Sequence, residues 1–410
     1  MADIAKTIRA KLEIEIKKGA QASIVNLVNH LIELAYHLKA SDIHINPESQ
    51  SVRLRLRIDG VLEDEMPLPK FIHSEIISRI KILANLRTDE HQSPQDGRFR
   101  IALEDKDEVD IRVSIIPTYY GEDAVMRLLT NQSQEFDLDS LGFSSSDKAK
   151  ILKAIKNPYG MILATGPTGS GKTTTLYTLI KMLNTSERSI ITIEDPIEYS
   201  IKGINQIGVN ARAGLTFANG LRSVLRQDPD IVMVGEIRDG ETAGLAVNTA
   251  LTGHLLLSTI HTNDAATTLP RLIDLKIEPY LIASTVNIAI GQRLVRRICD
   301  NCKKEFKITE QELKSLSEVV PQDVLGKGGI LYKGEGCDKC NNTGYKGRVC
   351  INDVVVADSV IRKAIQNKAT ASNKKIEAKK QGMTLMIEDG FHKAKNGITT
   401  IEEILRTLHE

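Results

Sequence analysis

The sequence contains no tryptophan, and aromatic residues make up only 4% of its 410 positions. Single-stranded nucleic acid is held largely by stacking on aromatic rings and membrane interfaces by aromatic belts, so neither partner is well provided for. Net charge is scarce as well: 54 Lys plus Arg against 53 Asp plus Glu leave +1, which sets up no overall field to gather nucleic acid or anionic lipid. Long apolar runs are missing. The longest stretch free of Asp, Glu, Lys and Arg is 242–263, and Asn248, Thr249, Thr252, Gly253, His254 and His261 interrupt it, so it reads as a buried helix followed by a buried strand rather than a membrane span. Residues 1–20 alternate charge with Ile and Leu and lack the apolar core of a secretory signal, which makes a cytoplasmic location the expectation. In that compartment five cysteines read as metal ligands or core residues rather than disulfides. At about 150 residues per domain the length predicts two to three domains.

What is present falls into successive blocks. Residues 1–22 read as a charged helix or tether with too few apolar positions for a domain. Residues 23–130 read as a small α+β domain: a helix over 23–39, a strictly alternating strand over 51–59, a helix over 71–86 and short strands near 99–103, 109–115 and 124–129. On the alternating strand Val52, Leu54, Leu56 and Ile58 form one face and Arg53, Arg55 and Arg57 the other, with a hairpin turn signalled by Asp59-Gly60. A solvated sheet face explains those arginines as readily as a partner does. Residues 131–145 read as a linker, 146–292 as an α/β core with short apolar strands buried on both faces, 293–352 as a cysteine-bearing subdomain and 353–410 as a helical C-terminal segment.

The chemistry is concentrated in the α/β core. Gly166, Pro167, Thr168, Gly169, Ser170, Gly171, Lys172 and Thr173, with Thr174 following, complete a phosphate-binding P-loop between an apolar strand and a helix. Backbone N–H groups and the helix N-terminus wrap phosphate oxygens, Lys172 adds a point charge, and Thr173 offers a hydroxyl to Mg²⁺. Residues 231–236 form an apolar strand ending in Glu236, the form in which a carboxylate is carried to the metal shell. A second acidic box, Glu194-Asp195-Pro196-Ile197-Glu198, ends another strand; Glu194 is the expected water-orienting base, with Asp195 in support. His254 and His261 bracket one apolar strand seven residues apart and so cannot share a metal; each is either a hydrogen-bonded core histidine or, for His261 above all, a phosphate sensor. Cys299, Cys302, Cys337 and Cys340 form two Cys-x-x-Cys knuckles, the pattern of a structural four-thiolate Zn²⁺ site, against the alternative of buried free thiols; Cys350 reads as a small core residue.

In this order, with Ser41-Asp42-Ile43-His44, Arg57-Ile58-Asp59-Gly60, Gln95-Asp96-Gly97-Arg98, Asp228-Pro229-Asp230, Gly235-Glu236-Ile237-Arg238-Asp239 and Gly397-Ile398-Thr399-Thr400-Ile401-Glu402-Glu403, the motifs resemble the secretion ATPase superfamily from about residue 23 to the end. The likeness is to the hexameric motors of type II secretion and type IV pilus assembly. It implies a small domain linked to a RecA-like motor domain, six chains in a ring, ATP bound with Mg²⁺, a structural Zn²⁺, and an inner-membrane platform protein as partner, with membrane association through partners and no nucleic acid. It further implies that Glu194 is the catalytic base, that His261 contacts the γ-phosphate, and that Arg98, Arg112 and Arg127 act like arginine fingers. The sequence departs from the family pattern at Asn46, where an acid is expected, across 349–353, and in having about 20 residues where many members carry a further docking domain. Retraction motors also lack that domain but generally lack the Cys pairs, which favours an assembly or secretion motor. Rival readings are a retraction or conjugation-type ATPase and a nucleotide-gated scaffold with little hydrolysis.

Overall fold

The computed structural model describes residues 2–103, 108–130, 136–307 and 330–409. Two compact units result: residues 1–133 with 337–342, and residues 134–336 with 343–410. Part of the expected linker, 131–135, and the middle of the expected cysteine subdomain, 308–329, lie outside the described residues.

The first unit is built on six antiparallel strands, β1 (Ala40–Pro47), β2 (Ser51–Ile58), β3 (Val61–Pro69), β4 (Gln95–Ala102), β5 (Glu108–Thr118) and β6 (Gly121–Thr130). Their order across the sheet is β3-β2-β1-β6-β5-β4. The alternation of β2 is realised: Val52, Leu54 and Leu56 are buried in the core with Ile76, Ile80 and Leu31 of the helices His73–Leu83 and Ile24–His37. Asp59 and Gly60 both adopt positive φ, 48° and 87°, as a two-residue hairpin turn requires. The arginines of β2 find partners inside the unit, Arg53 with Asp64 in a two-point contact and Arg55 with Asn46, which satisfies the solvated-face reading.

The N-terminal segment is a helix, Ala2–Lys17, but it is no tether. Ala5, Ile8 and Leu12 enter the same core as the sheet, the Arg9 guanidinium pairs with Glu65, and Glu15 accepts from the Ser23 N–H at 3.0 Å. Three apolar positions suffice because they are spaced three and four apart on one face and meet a core that already exists. The helix therefore packs as part of the first unit.

The second unit contains a seven-stranded sheet of order β15-β12-β7-β11-β10-β8-β9. Its strands are β7 (Gly160–Thr165), β8 (Ile190–Glu194), β9 (Asn205–Gly208), β10 (Ile231–Val234), β11 (Leu255–Ile260), β12 (Val286–Ile298) and β15 (Tyr345–Val356). All neighbours are parallel except β15, which runs antiparallel to β12. Every residue of β7, β8, β10 and β11 is buried, as the short unalternated runs imply. A separate hairpin pairs β13 (Lys303–Lys307) with β14 (Ile330–Gly334). The expected boundaries at 292/293 and 352/353 do not hold, since β12 and β15 cross them as integral sheet strands. C-terminal helices follow as expected, at Ser359–Gln366, Ala371–Lys380, Met386–Lys395 and Ile401–His409. No helix among the described residues is long and apolar enough to cross a membrane.

Candidate nucleotide site and four-cysteine cluster

The parallel order carries the P-loop to the carboxyl edge of the sheet, between β7 and the helix Lys172–Leu183. Gly171 caps that helix in a left-handed conformation, φ 86°, and Gly166 at φ 144° would place a Cβ 2.3 Å from the Gln292 carbonyl oxygen, so glycine is required at both. The Lys172 ammonium lies over the loop and donates to the carbonyls of Gly166 and Pro167 at 2.9 and 2.8 Å. Burial pushes it down to about 8, against the opposing pull of Glu236. The Ser170 hydroxyl is buried with no partner, and the helix N-terminus adds its unpaired N–H groups. A donor-rich, cation-bearing cradle with an orphaned hydroxyl fits a nucleotide polyphosphate. Thr173 and Thr174, half-buried on the first turn, stand where the sequence expects them.

Glu236 and His261 come together past the ends of β10 and β11. The parallel register pairs Val234 of β10 with Ser258 of β11, so the residues just past each strand end meet. Glu236 is 8% exposed; one oxygen pairs with Arg238 at 2.6 Å and the other lies 3.3 Å from His261 Nε2. His254 stays at the opposite end of β11, its Nδ1 3.1 Å from the Thr249 carbonyl oxygen, which is the core-histidine reading.

Glu194 ends β8, as the sequence reading has it. It is 2% exposed, and it accepts from Thr192 at 2.5 Å, from Gln206 at 3.1 Å and from the Tyr177 hydroxyl. Burial, then the bond to Glu194, raises the Tyr177 phenol above its ordinary value and keeps it a donor. Both carboxylate oxygens thus have a donor, which fixes the orientation of the Glu194 side chain. Asp195 and Glu198 of the same box are exposed, and the Glu198 N–H donates to the Tyr177 hydroxyl. Tyr177 and Gln206, spread over 29 residues, carry no motif and were beyond sequence reasoning.

In the first unit Arg98, Arg112 and Arg127 occupy directly opposed positions on β4, β5 and β6, so the three guanidinium-bearing positions form one transverse row. Arg127 donates to Asp42 at 2.8 Å, and Arg57 reaches the other oxygen of Asp42 at 3.5 Å. Arg98 and Arg112 have no carboxylate partner among the described residues. Like charges on adjacent strands repel, so such a pair is suited to an anion.

The four Sγ atoms of Cys299, Cys302, Cys337 and Cys340 lie within 4.8 Å of one another, and those of Cys337 and Cys340 are 3.7 Å apart. A tetrahedral Zn²⁺ with Zn–S bonds of about 2.3 Å needs edges near ~3.8 Å, so the donor set and spacing fit that ion. Cys350 is buried, as expected of a core residue, and burial pushes its thiol up to about 12. It touches a residue the sequence reading missed: Gln292, fully buried, whose Nε2 donates to the Ser170 carbonyl at 2.8 Å and lies 3.6 Å from Cys350 Sγ.

The comparisons with known proteins bear on this arrangement. Residues 17–406 match the family described as Type II/IV secretion system protein. The chain is 47% identical to a type IV pilus assembly ATPase, PilB, of Thermus thermophilus over 95% of its own length and 43% of that protein, and so spans less than half of that relative. It is 45% identical to PilB of Myxococcus xanthus, over 95% of this chain and 69% of that protein. It is 44% identical to the type II secretion system ATPase E of Vibrio cholerae, over 95% and 76%. Among solved structures, the pilus retraction motor PilT with bound ADP superposes with a TM-score of 0.60 at 26% identity, covering 92% of this chain and 94% of that one. The Legionella pneumophila ATPase DotB shares the fold, with a TM-score of 0.66 at 22% identity over 92% and 94%. A P-loop, a Glu236–His261 pair and a four-cysteine cluster set on this sheet, together with a match over nearly the whole length, establish that the chain belongs to the type II/IV secretion system protein family.

Proposed function

We propose that the chain hydrolyses ATP with Mg²⁺ as one subunit of a ring-shaped cytoplasmic motor that powers type IV pilus assembly or type II secretion and engages no nucleic acid.

 The observation that carries the reading is the convergence of Lys172, Glu236 and His261 at one edge of the sheet beside a cradle of backbone donors. Lys172 would exchange its two carbonyl partners for the terminal phosphate oxygens, while the helix N-terminus holds the rest of the chain of phosphates. Thr173 and Glu236 would hold Mg²⁺, which neutralises charge on those oxygens when bound. His261, aligned by Glu236, donates toward the γ-phosphate. Glu194, its carboxylate oriented by Tyr177, Thr192 and Gln206, is the base that orients the attacking water, with Asp195 in support. Arg98, Arg112 and Arg127, one row across the sheet of the first unit, are the candidates for arginine-finger groups. The four cysteines hold Zn²⁺ in a closed structural site.

The ring is a homo-hexamer, and its partner is an inner-membrane platform protein through which it reaches the membrane. The pilus-assembly and secretion relatives, at 44–47% identity, support this over retraction, for which the named solved structure is 26% identical. The test is steady-state ATP hydrolysis by the full chain with Mg²⁺, wild type beside Lys172→Ala, over a range of protein concentrations. Lys172-dependent turnover that rises cooperatively with concentration is expected. Tight ATP binding with no turnover at any concentration would favour a nucleotide-gated scaffold.

A further inference from the structure

The parallel register of β7 and β12 ends with Thr165 opposite Gly291, which sets Gln292 level with Gly166, the first residue of the phosphate loop. From there Gln292 touches both ends of the loop. Its carbonyl oxygen occupies the space a Cβ on Gly166 would need, at 2.3 Å, and its side-chain nitrogen lies 3.1 Å from the Cβ position of Gly171. That nitrogen donates to the Ser170 carbonyl at 2.8 Å, and the residue is wholly buried. Only the amide nitrogen can face that carbonyl, since the opposite orientation would set two acceptors against each other.

The consequence follows from the planarity of the peptide bond. In a trans peptide the C=O and the following N–H point in opposite directions. Holding the Ser170 carbonyl toward β12 therefore turns the Gly171 N–H away from β12, on the loop residue that caps the helix Lys172–Leu183 and has a left-handed φ of 86°. A left-handed glycine has other conformations within easy reach, so the direction of this N–H needs an outside restraint. The contact is also unshared: the other donor on Gln292 Nε2 has only the Cys350 thiol sulfur, 3.6 Å away, which is a weak acceptor.

We propose that Gln292 is a positioning residue for the phosphate loop, which pins the Ser170–Gly171 peptide so that the Gly171 N–H is already aimed at a phosphate oxygen before nucleotide arrives. This rests on the reading of the site as one that binds and hydrolyses ATP. Gln292 touches no substrate itself; it acts through the peptide it holds. Because it lies on β12, six residues before the sheet strand ends at Ile298 and the first cysteine knuckle begins, the loop is braced by the strand that leads to the metal cluster.

The test uses the full chain and three variants. Gln292→Met keeps the length and volume of the side chain without the amide, Gln292→Glu keeps its shape but sets an acceptor against the Ser170 carbonyl, and Cys350→Ala opens space beside the same side chain without touching the hydrogen bond. Affinity for fluorescent ATP and ADP analogues, KM and kcat, melting temperature without nucleotide, and zinc content are measured for each. Gln292→Met is expected to weaken nucleotide binding and raise KM by about 10-fold or more, with kcat less affected and the nucleotide-free melting temperature and zinc content unchanged. Gln292→Glu should do the same or worse, and Cys350→Ala should stay within about 2-fold of wild type. Should Gln292→Met fail to fold, the comparison passes to Gln292→Glu. Wild-type affinity in the glutamine variants, or an equal loss in Cys350→Ala, would overturn the proposal. A wild-type chain that bound no ATP would instead overturn the ATPase reading, and this proposal with it.

Discussion

Glu236 Oε2 lies 3.3 Å from His261 Nε2, although the two residues follow different strands and are separated by 24 others. Parallel pairing of β10 with β11 brings their ends level, and the carboxylate faces both the histidine and the charge of Lys172. Replacing His261 with Ala is expected to lower kcat by about 10- to 100-fold with ATP affinity much less affected, because a hydrogen-bond donor aimed at developing charge acts mainly in the transition state. Weakened ATP affinity with kcat unchanged would mean that His261 serves binding alone.

The two glutamates of the acidic box should separate by what they break. Glu194→Gln is expected to retain ATP binding and to lose turnover, while Glu198→Gln keeps both. Glu194→Gln should lower the melting temperature as well, since an amide nitrogen would face the donors of Thr192, Gln206 or Tyr177 and leave one unsatisfied, at a cost of about 1–3 kcal/mol. Wild-type turnover in Glu194→Gln would remove the base assignment.

Lys172 gives the nucleotide site a pH dependence. Burial lowers its ammonium to about 8 in the free protein, so above that pH the lysine is increasingly neutral and must take up a proton to meet phosphate. ATP affinity is therefore expected to fall as pH rises from 7.5 to 9.5, with proton uptake on binding visible as a buffer-dependent heat in calorimetry. Affinity and heat independent of pH and buffer over that range would count against the assignment.

Asp353 should make stability depend on pH in the opposite sense from an ordinary surface acid. Burial first, then the charge of Asp264, pushes it up to about 7, and its Oδ2 has no partner. Between the usual carboxylate range and pH 7 the folded chain keeps a proton that the unfolded chain has released, so this group's contribution to stability declines as pH rises through that window. Asp353→Asn removes the effect. Its melting temperature relative to wild type is expected to be higher at pH 8 than at pH 5, and a constant difference would sink the argument.

The cysteine cluster predicts one zinc per chain by elemental analysis. Cys299→Ser should lose the metal and lower the melting temperature, as should a strong chelator, because binding energy at a four-thiolate site is also folding energy. Metal-free wild-type protein with an unchanged melting curve would remove the site.

Much of this protein was legible in the sequence because the relevant signals are local. Alternation over eight residues fixed the faces of β2, the Asp59-Gly60 pair specified its turn, unbroken apolar runs marked β7, β8, β10 and β11, and the P-loop and Cys-x-x-Cys spacings are short strings whose chemistry depends on neighbours in the chain. Tertiary structure decided what no local pattern encodes. Ala5, Ile8 and Leu12 became core only because a sheet formed elsewhere offers them a surface. The Glu194 carboxylate is held in one orientation because Tyr177 and Gln206 arrive from a helix and from β9. Arg98, Arg112 and Arg127 became one row through the register of three strands, and Gln292 met the P-loop because β12 lies beside β7. Side-chain period and turn chemistry are set within a few residues, whereas register and strand order depend on which distant surfaces bury each other, and that is settled only when the whole core closes.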